Sequence, residues 1–220
     1  MPSRPPGTTK RTPSRHAPRT SAERSRRRPL AVALTGGIGA GKSELLRALA
    51  RHGAATISSD DIVHRLLRED DVVKDAMRER WGETVLGEDG EIDRARVGAI
   101  VFADREELAW LERLLHPRVV AEYLRWRDEL ARRAEPPAVC VTEVPLLYEV
   151  GADERFDVVV AVTASPEVRA SRLIRPVVER ERRLLPEEEK LRRADYTFVN
   201  DGPREDVDAF ASDLLARLAR

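Results

Sequence analysis

The chain has 220 residues, of which 41% are hydrophobic and 35% charged, a composition typical of one soluble α/β domain with a modest insertion. No apolar run approaches the roughly 20 residues that a membrane-spanning helix needs, so we expect no membrane span and no membrane partner. The single cysteine, Cys140, excludes an intrachain disulfide and is typical of a reducing compartment, which favours a cytoplasmic location. Because Cys140 lies in an apolar run, we interpret it as a small buried hydrophobic residue.

The first 29 residues differ in composition from the rest of the chain. They hold nine of the 39 Lys and Arg residues against one acidic residue, Glu23, and six of the 14 prolines. Such a segment has too few large apolar side chains to build a core, so we predict that residues 1–29 are a disordered basic extension. We favour a dispensable extension, with an anion-binding arm for nucleic acid and a targeting peptide as alternatives.

A glycine-rich loop follows the first predicted strand. Leu30 to Leu34 form a short apolar run, and residues 36–43 read G-x-x-x-x-G-K-S before a helical pattern begins. Bare glycine backbone lets consecutive N–H groups point at phosphate oxygens, which a plain turn between a strand and a helix does not require. The sequence therefore predicts a phosphate-binding loop for a nucleoside triphosphate.

Individual positions of this loop have predicted roles. We expect the ammonium group of Lys42 to reach the β- and γ-phosphates and the hydroxyl of Ser43 to ligate Mg²⁺. The amides of Ser43 and Glu44 are predicted to be unpaired donors at the positive end of the helix. The backbone that surrounds the phosphates is assigned to Gly36, Gly37, Gly39, Ala40 and Gly41.

The rest of the chain alternates between predicted strands and helices. Gly53 ends the helix that starts in the loop, a strand follows at 54–57, and residues 62–133 read almost wholly helical. Further strands are predicted at 138–141, 157–163 and 196–199, and further helices over 166–194 and 204–219. These elements indicate a P-loop NTPase-like α/β domain over residues 30–220. We expect a doubly wound, parallel, five-stranded sheet with a helical insertion at 62–133 and further helices at 166–194.

Two carboxylates follow predicted strands and are candidates for chemistry. Asp60 comes after the second strand, which we expect to lie next to the loop strand, so that it faces the Mg²⁺ and the γ-phosphate. There it can orient an acceptor hydroxyl and take its proton, with helix capping as the alternative. Glu143 ends the third strand and either acts through a Mg²⁺-bound water or caps the segment before Pro145. Because the guanine-selecting N-K-x-D motif is absent, we favour a small-metabolite or nucleotide kinase over a GTPase.

Several blocks of the sequence resemble the dephospho-CoA kinase family. They are LTGGIGAGKS, SSDDIVHRLL, IDRARVGAIVF, LLHP, TEVPLLYE and EEKLRRADYTFVNDG, in this order and spacing over residues 31–217. The resemblance implies ATP-dependent phosphorylation of the 3′-hydroxyl of dephospho-CoA, the last step of coenzyme A biosynthesis, with Mg²⁺. We expect a monomer or weak oligomer whose core binds no nucleic acid.

The resemblance also implies roles for residues around the phosphates and the base. Asp60 matches the proposed catalytic base of the family, and Arg180 matches a lid arginine that closes on the phosphates. Asn200 and Gly202 fall where the family contacts adenine. The resemblance also implies that the helical block at 166–194 is a lid. We interpret its arginines as a mostly solvated helix face and expect one or two of them to contact phosphate. They are residues 169, 172, 175, 180, 182 and 183.

Acceptor binding is assigned to the helical block by the same resemblance. His116 and Pro117 lie in the part of the chain that resembles the acceptor-holding domain, and we assign Glu143 to substrate binding with them. His116 precedes proline at what we expect to be a helix end, so a buried structural role is the alternative.

This sequence departs from the family pattern at three places. Ser58 replaces the first Asp of an Asp-x-Asp pattern, the lid segment is several residues shorter and contains Pro176, and Leu184 stands where Gln is usual. We expect activity with altered lid closure. The alternatives are another small-metabolite P-loop kinase, such as one similar to shikimate kinase, and a non-catalytic ATP-binding regulator.

Overall fold

The computed structural model describes residues 28–173 and 185–219, which belong to two compact units. One unit combines the chain up to Ile57 with the chain from Arg127, and the other is Ser58–Trp126. Almost all of the predicted N-terminal extension lies outside the described residues, as do the lid positions Arg180, Pro176 and Leu184. No helix among the described residues is long and apolar enough to cross a membrane.

A five-stranded parallel sheet forms the centre of the first unit, which confirms the predicted fold class. Its strands are β1 (Leu30–Gly36), β2 (Ala55–Ser58), β3 (Val139–Glu143), β4 (Val158–Thr163) and β5 (Tyr196–Val199). Their spatial order is β2-β3-β1-β4-β5. The central strands β1, β3 and β4 are buried along almost their whole length, as strands covered by helices on both faces should be.

The described residues contain eight α-helices. They are α1 (Lys42–Arg51), α2 (Ser59–Glu69), α3 (Asp71–Trp81), α4 (Arg94–Ala103), α5 (Arg105–Ala131), α6 (Pro166–Arg172), α7 (Glu187–Arg193) and α8 (Arg204–Leu218). Helices α1 and α8 bury their apolar side chains against the sheet, and Phe198 of β5 stacks on Phe210 of α8 with ring centroids 4.5 Å apart. Cys140 is buried in β3, and burial is the main cause that raises the pKa of its thiol. Its interpretation as a buried hydrophobic residue is therefore confirmed.

The order of the strands corrects one prediction, because β3 rather than β2 lies beside the loop strand β1. Leu34 of β1 lies opposite Glu143 of β3, and the amide of Val144 donates to the carbonyl of Leu34 at 2.9 Å. The chain passes through the whole second unit between β2 and β3, so order along the chain does not give order in the sheet. The carboxylate that ends the strand next to the loop strand is therefore Glu143, and Asp60 follows a strand one position further away.

The second unit consists of helices α2 to α4 and most of α5. A 3₁₀ turn at Gly82–Val85 and one antiparallel bridge between Leu86 and Ile92 interrupt the helices of this unit. Glu107 of α5 accepts hydrogen bonds from the guanidinium of Arg80 and from the indole of Trp81, which hold the pKa of this carboxyl below its usual range. These contacts join α3 to α5.

Helix α5 contradicts the expectation that His116 lies at a helix end. It runs for 27 residues with Pro117 in its interior. Leu111, Leu115 and Val119 are buried at intervals of four residues on both sides of the proline. An interior proline costs a helix about 3 kcal/mol, and this continuous buried stripe offsets that cost.

A buried ion pair fastens α7 to the segment after β3. The side chain of Lys190 is 1% exposed, and its Nζ lies 2.7 Å from Oε1 of Glu149. The same ammonium donates to the carbonyl of Pro145 at 3.1 Å, and the amide of Leu185 donates to Glu149 Oε1 at 2.9 Å. These contacts fix the start of α7 and the residues just before it on the first unit.

We predict that K190M lowers the free energy of unfolding by about 3–5 kcal/mol, because it leaves the Glu149 carboxylate largely buried without its charge partner. The double variant K190M/E149Q should recover much of that loss. Urea unfolding followed by circular dichroism measures both effects.

Arg192 on the same helix provides the matched control. Its side chain is 74% exposed and pairs with Glu189, so R192M should change the free energy of unfolding by less than about 0.5 kcal/mol. Equal losses in R192M and K190M would contradict a special contribution from the buried pair.

Candidate active site

The predicted phosphate loop joins β1 to α1 and lies against β4 and against Asn200, the residue after β5. Gly36 has a φ of +146°, and a Cβ at this position would lie 2.0 Å from the carbonyl oxygen of Val162 in β4. Gly41, the residue before α1, has a φ of +93°, and a Cβ there would lie 2.0 Å from Nδ2 of Asn200. At both positions a side chain is excluded by backbone conformation and by space, so the structure supports the interpretation of these glycines.

The ammonium group of Lys42 lies against the first carbonyls of the loop. Its Nζ donates to the carbonyl of Gly37 at 2.9 Å and to that of Gly36 at 3.3 Å. The hydroxyl of Ser43 lies 3.4 Å from both carboxylate oxygens of Glu143, at the outer limit of a hydrogen bond. Glu143 is 4% exposed. The residues of the loop and the carboxylate of β3 therefore meet at the carboxyl edge of the sheet.

Glu44 differs from its prediction. Its amide was predicted to be unpaired but donates to the carbonyl of Gly41 at 3.1 Å, because the first turn of α1 tightens at its start. Its side chain accepts a hydrogen bond from Nε of Arg204 at 2.8 Å. Glu44 therefore connects α1 to α8.

Asn200 lies under the loop as a buried contact. It is 1% exposed, and its Nδ2 donates to the carbonyl of Ala40 at 3.0 Å. The backbone N–H of Asn200 donates to the carbonyl of Thr163 at 2.8 Å. The side chain thus binds the loop itself, a role that the sequence analysis missed when it assigned Asn200 to adenine. Gly202 follows it in an exposed turn, where a Cβ would lie 2.1 Å from Oδ2 of Asp206.

Two arginines of α6 also donate to the carbonyls of the loop. Nε of Arg169 donates to the carbonyl of Ile38 at 2.9 Å. Arg172 donates from Nη1 to the carbonyls of Gly39 and Ala40, both at 3.4 Å. We expected one or two of the six arginines at 169–183 to contact phosphate, and the structure places these two at the phosphate loop. Their spacing of three residues, which places both on one face of a helix, is the signal that could have revealed them.

The remaining candidates belong to the second unit. Asp60 is exposed in the first turn of α2, two residues after β2. Ser58 holds the N-cap position of α2 and is buried, but its side chain makes no capping hydrogen bond. His116 is half-buried and Pro117 exposed in the middle of α5.

The donor set at the loop is suited to a small hard cation. No group of three or more His, Cys, Asp or Glu within 28–173 and 185–219 could hold a metal ion without other ligands. Mg²⁺ is commonly bound by one or two protein oxygens together with substrate phosphates and water. The Ser43 hydroxyl and the Glu143 carboxylate provide such oxygens.

Comparison with known proteins gives the same family as the sequence blocks. A family model for dephospho-CoA kinase matches residues 30–206. The chain is 40% identical over 196 residues to a dephospho-CoA kinase of Streptomyces avermitilis, covering 86% of this chain and 94% of that protein. It is 34% identical over 198 residues to a dephospho-CoA kinase of Syntrophus aciditrophicus, covering 87% and 84%.

Solved structures agree with this result. A Thermus thermophilus protein superposes with a TM-score of 0.70 at 32% identity, covering 86% of this chain and 98% of that chain. Dephospho-CoA kinase from Campylobacter jejuni superposes with a TM-score of 0.63 at 25% identity, covering 86% and 96%. These likenesses favour neither the other small-metabolite kinase nor the non-catalytic regulator.

We predict that G41A weakens ATP binding by at least ~10-fold, because the added methyl group displaces the Asn200 amide from the Ala40 carbonyl and strains a loop that depends on a left-handed residue. Isothermal titration calorimetry with ATP measures the affinity, and thermal unfolding measures the accompanying loss of stability.

G53A is the matched control for this substitution. Gly53 has a φ of +96°, close to that of Gly41, but a Cβ there meets nothing within 4 Å. G53A should therefore cost about 1–2 kcal/mol of stability from backbone strain alone and leave ATP affinity unchanged. The same affinity for ATP in both variants would refute the role assigned to the Asn200 contact.

Proposed function

Because this chain belongs to the dephospho-CoA kinase family, we propose that residues 36–43 bind the ATP from which this kinase transfers a phosphoryl group. The reaction moves the γ-phosphoryl group of ATP to the 3′-hydroxyl of dephospho-CoA and gives CoA and ADP, the last step of coenzyme A biosynthesis. The observation that carries the proposal is the glycine loop at the carboxyl edge of the sheet. There the Lys42 ammonium, the Ser43 hydroxyl and the Glu143 carboxylate converge on one strand-to-helix connection.

The transfer is an in-line displacement at the γ-phosphorus. The 3′-oxygen of the acceptor forms the new bond, and the bond from the γ-phosphorus to the bridging oxygen breaks, so that ADP leaves with the electron pair. We propose that the acceptor hydroxyl gives its proton to Asp60. Its exposed carboxylate in the first turn of α2 can meet a substrate, and its position matches the base of the family.

We propose that Mg²⁺ is held by Ser43, with Glu143 binding through a water of the ion or directly. When bound, Mg²⁺ neutralises charge on the phosphate oxygens of ATP. Glu143 is supported for this role rather than for acceptor binding, because its carboxylate faces the Ser43 hydroxyl. Burial keeps water from screening its charge.

The second unit is proposed to hold dephospho-CoA. His116 and Pro117 lie in this unit, away from the ends of α5, where a rigid helix fixes their positions. Gly202 and the backbone of Asn200 are proposed to lie near adenine, with the Asn200 side chain committed to the loop. A cytoplasmic location belongs to the same proposal and is supported by the family and by the single buried cysteine. A monomer or weak oligomer stays a prediction.

We predict that D60N lowers kcat for conversion of dephospho-CoA to CoA by at least ~10²-fold with little change in ATP affinity, since it removes only the proton acceptor. ADP release and mass identification of the 3′-phosphorylated product measure the activity. D61N, at the neighbouring exposed position, is the matched control and should stay within ~3-fold of wild type. A nearly unimpaired D60N would leave the activity in place and limit Asp60 to a charge that stabilises the N-terminus of α2.

We predict that E143Q raises the Mg²⁺ concentration needed for half-maximal turnover by ~10-fold, because a neutral amide is a weaker partner for the ion and its water than a carboxylate. Turnover at fixed ATP over a series of Mg²⁺ concentrations measures this. D213N, which removes an exposed carboxylate of α8, is the control and should leave the curve unmoved. An unchanged curve in E143Q would exclude Glu143 from the metal site.

A further inference from the structure

Arg169 brings a second cation to the part of the loop that Lys42 contacts. Nε of Arg169 donates to the carbonyl of Ile38 at 2.9 Å, and Nζ of Lys42 donates to the preceding carbonyl, that of Gly37, at 2.9 Å. The lysine of such a loop reaches the β- and γ-phosphates of a bound nucleotide. The Arg169 guanidinium therefore binds the peptide unit next to the one bound by the lysine that we assign to the terminal phosphates.

The guanidinium of Arg169 is held in place from two sides. Its Nη1 donates to Oε2 of Glu187, the first residue of α7, at 3.1 Å, and the arginine side chain is only 18% exposed. Helix α6 itself is anchored, since the amide of Ser165 before it donates to Oδ1 of Asp201 at 2.6 Å. A cation fixed before substrate arrives stabilises developing charge without a further cost of reorganisation.

The absence of a side chain at Gly37 is what lets this pair approach the loop. A Cβ at Gly37 would lie 2.8 Å from Oε1 of Glu187 and 3.4 Å from Cζ of Arg169. Gly37 has no positive φ, so its backbone conformation does not require glycine. Close approach of the Arg169–Glu187 pair therefore accounts for glycine at this position.

We propose that Arg169 contacts the γ-phosphoryl group of ATP and is a further catalytic residue of the transfer, with Glu187 as the positioning residue that holds its guanidinium. The proposal rests on the assignment of residues 36–43 to ATP. As the acceptor oxygen bonds to the γ-phosphorus and the bridging oxygen leaves with ADP, the acceptor proton passes to Asp60. Arg169 then stabilises charge on the γ-phosphoryl oxygens beside Lys42. The role is separate from that of Arg180, which lies outside the described residues.

Selective loss of affinity for the terminal phosphate tests this proposal. We expect R169M to weaken binding of the β,γ-imido analogue of ATP by at least ~10-fold and of ADP by less than ~3-fold, as measured by calorimetry. Its kcat should fall by ~10²- to 10³-fold, the usual effect of removing one donor to the transition state. R169K keeps the charge but loses the planar fork, so we expect it to recover part of kcat. R217M removes an exposed arginine of α8 and should behave as wild type.

Arg172 is the second comparison. It binds carbonyls of the loop from the same helix, but its atoms are not among the nearest to a Cβ at Gly37. We expect R172M to weaken the ATP analogue and ADP by equal factors. E187Q keeps an acceptor for Arg169 and should retain more of the selectivity for ATP over ADP than E187A. This difference would not arise if Glu187 only stabilised the fold.

The proposal would be overturned if R169M bound the ATP analogue and ADP more weakly by equal factors and kept its kcat. Arg169 would then only stabilise the loop, as Arg172 does. The same conclusion follows if R169K and R169M fold, as judged by circular dichroism, and both keep wild-type selectivity. A third outcome is that the wild-type protein makes no CoA, while R169M still loses selectivity for ATP over ADP. That result would support the phosphate contact of Arg169 and reject dephospho-CoA as the acceptor. The binding measurement therefore separates the two claims.

Discussion

The conformation of the phosphate loop depends on donors that bind its carbonyl groups. Arg169 binds the carbonyl of Ile38, and Asn200 and Arg172 bind the carbonyl of Ala40. The peptide unit is planar, so a donor that fixes one of these carbonyls also fixes the plane of the peptide unit that carries the amide of the next residue, Gly39 or Gly41. Fixed backbone amides are what an anion-binding nest requires. Side chains more than a hundred residues away in sequence thus set the direction of the groups that a phosphate needs.

The same constraint explains which parts of the site the sequence predicted. The loop, its glycines and Lys42 follow from a local pattern, because strand, turn and helix are consecutive and each residue type has a local physical reason. The five strands and the helical block were predicted from the periodicity of apolar residues, which is also a local pattern. Asn200 lies 160 residues from its partner Ala40, and Arg169 lies 131 residues from Ile38. A helical spacing can show that two arginines share a face, but no local pattern gives the distant groups that they contact. The position of β3 beside β1 was missed because a whole unit separates β2 from β3 along the chain.

The use of lysine in an arginine-rich chain gives a further physical regularity. The sequence has only four lysines, and three of them lie in the described residues. Lys42 binds the loop, Lys190 is buried against Glu149, and the side chain of Lys74 is 13% exposed and lies 2.7 Å from Glu91. A compact ammonium fits such confined positions, whereas arginine covers exposed helix faces and binds where a planar fork is useful.

The strand order also bears on the departure at Ser58. The resemblance implies a carboxylate at this position, and this chain lacks that charge. Yet β2 is separated from the loop strand by β3, and it is Glu143, at the end of β3, whose carboxylate faces the Ser43 hydroxyl. Ser58 is also buried, so a carboxylate there would have to be desolvated and paired. Under the proposed Mg²⁺ site, Glu143 on the strand next to the loop strand supplies this charge, and a serine at position 58 avoids the cost of desolvating another carboxylate.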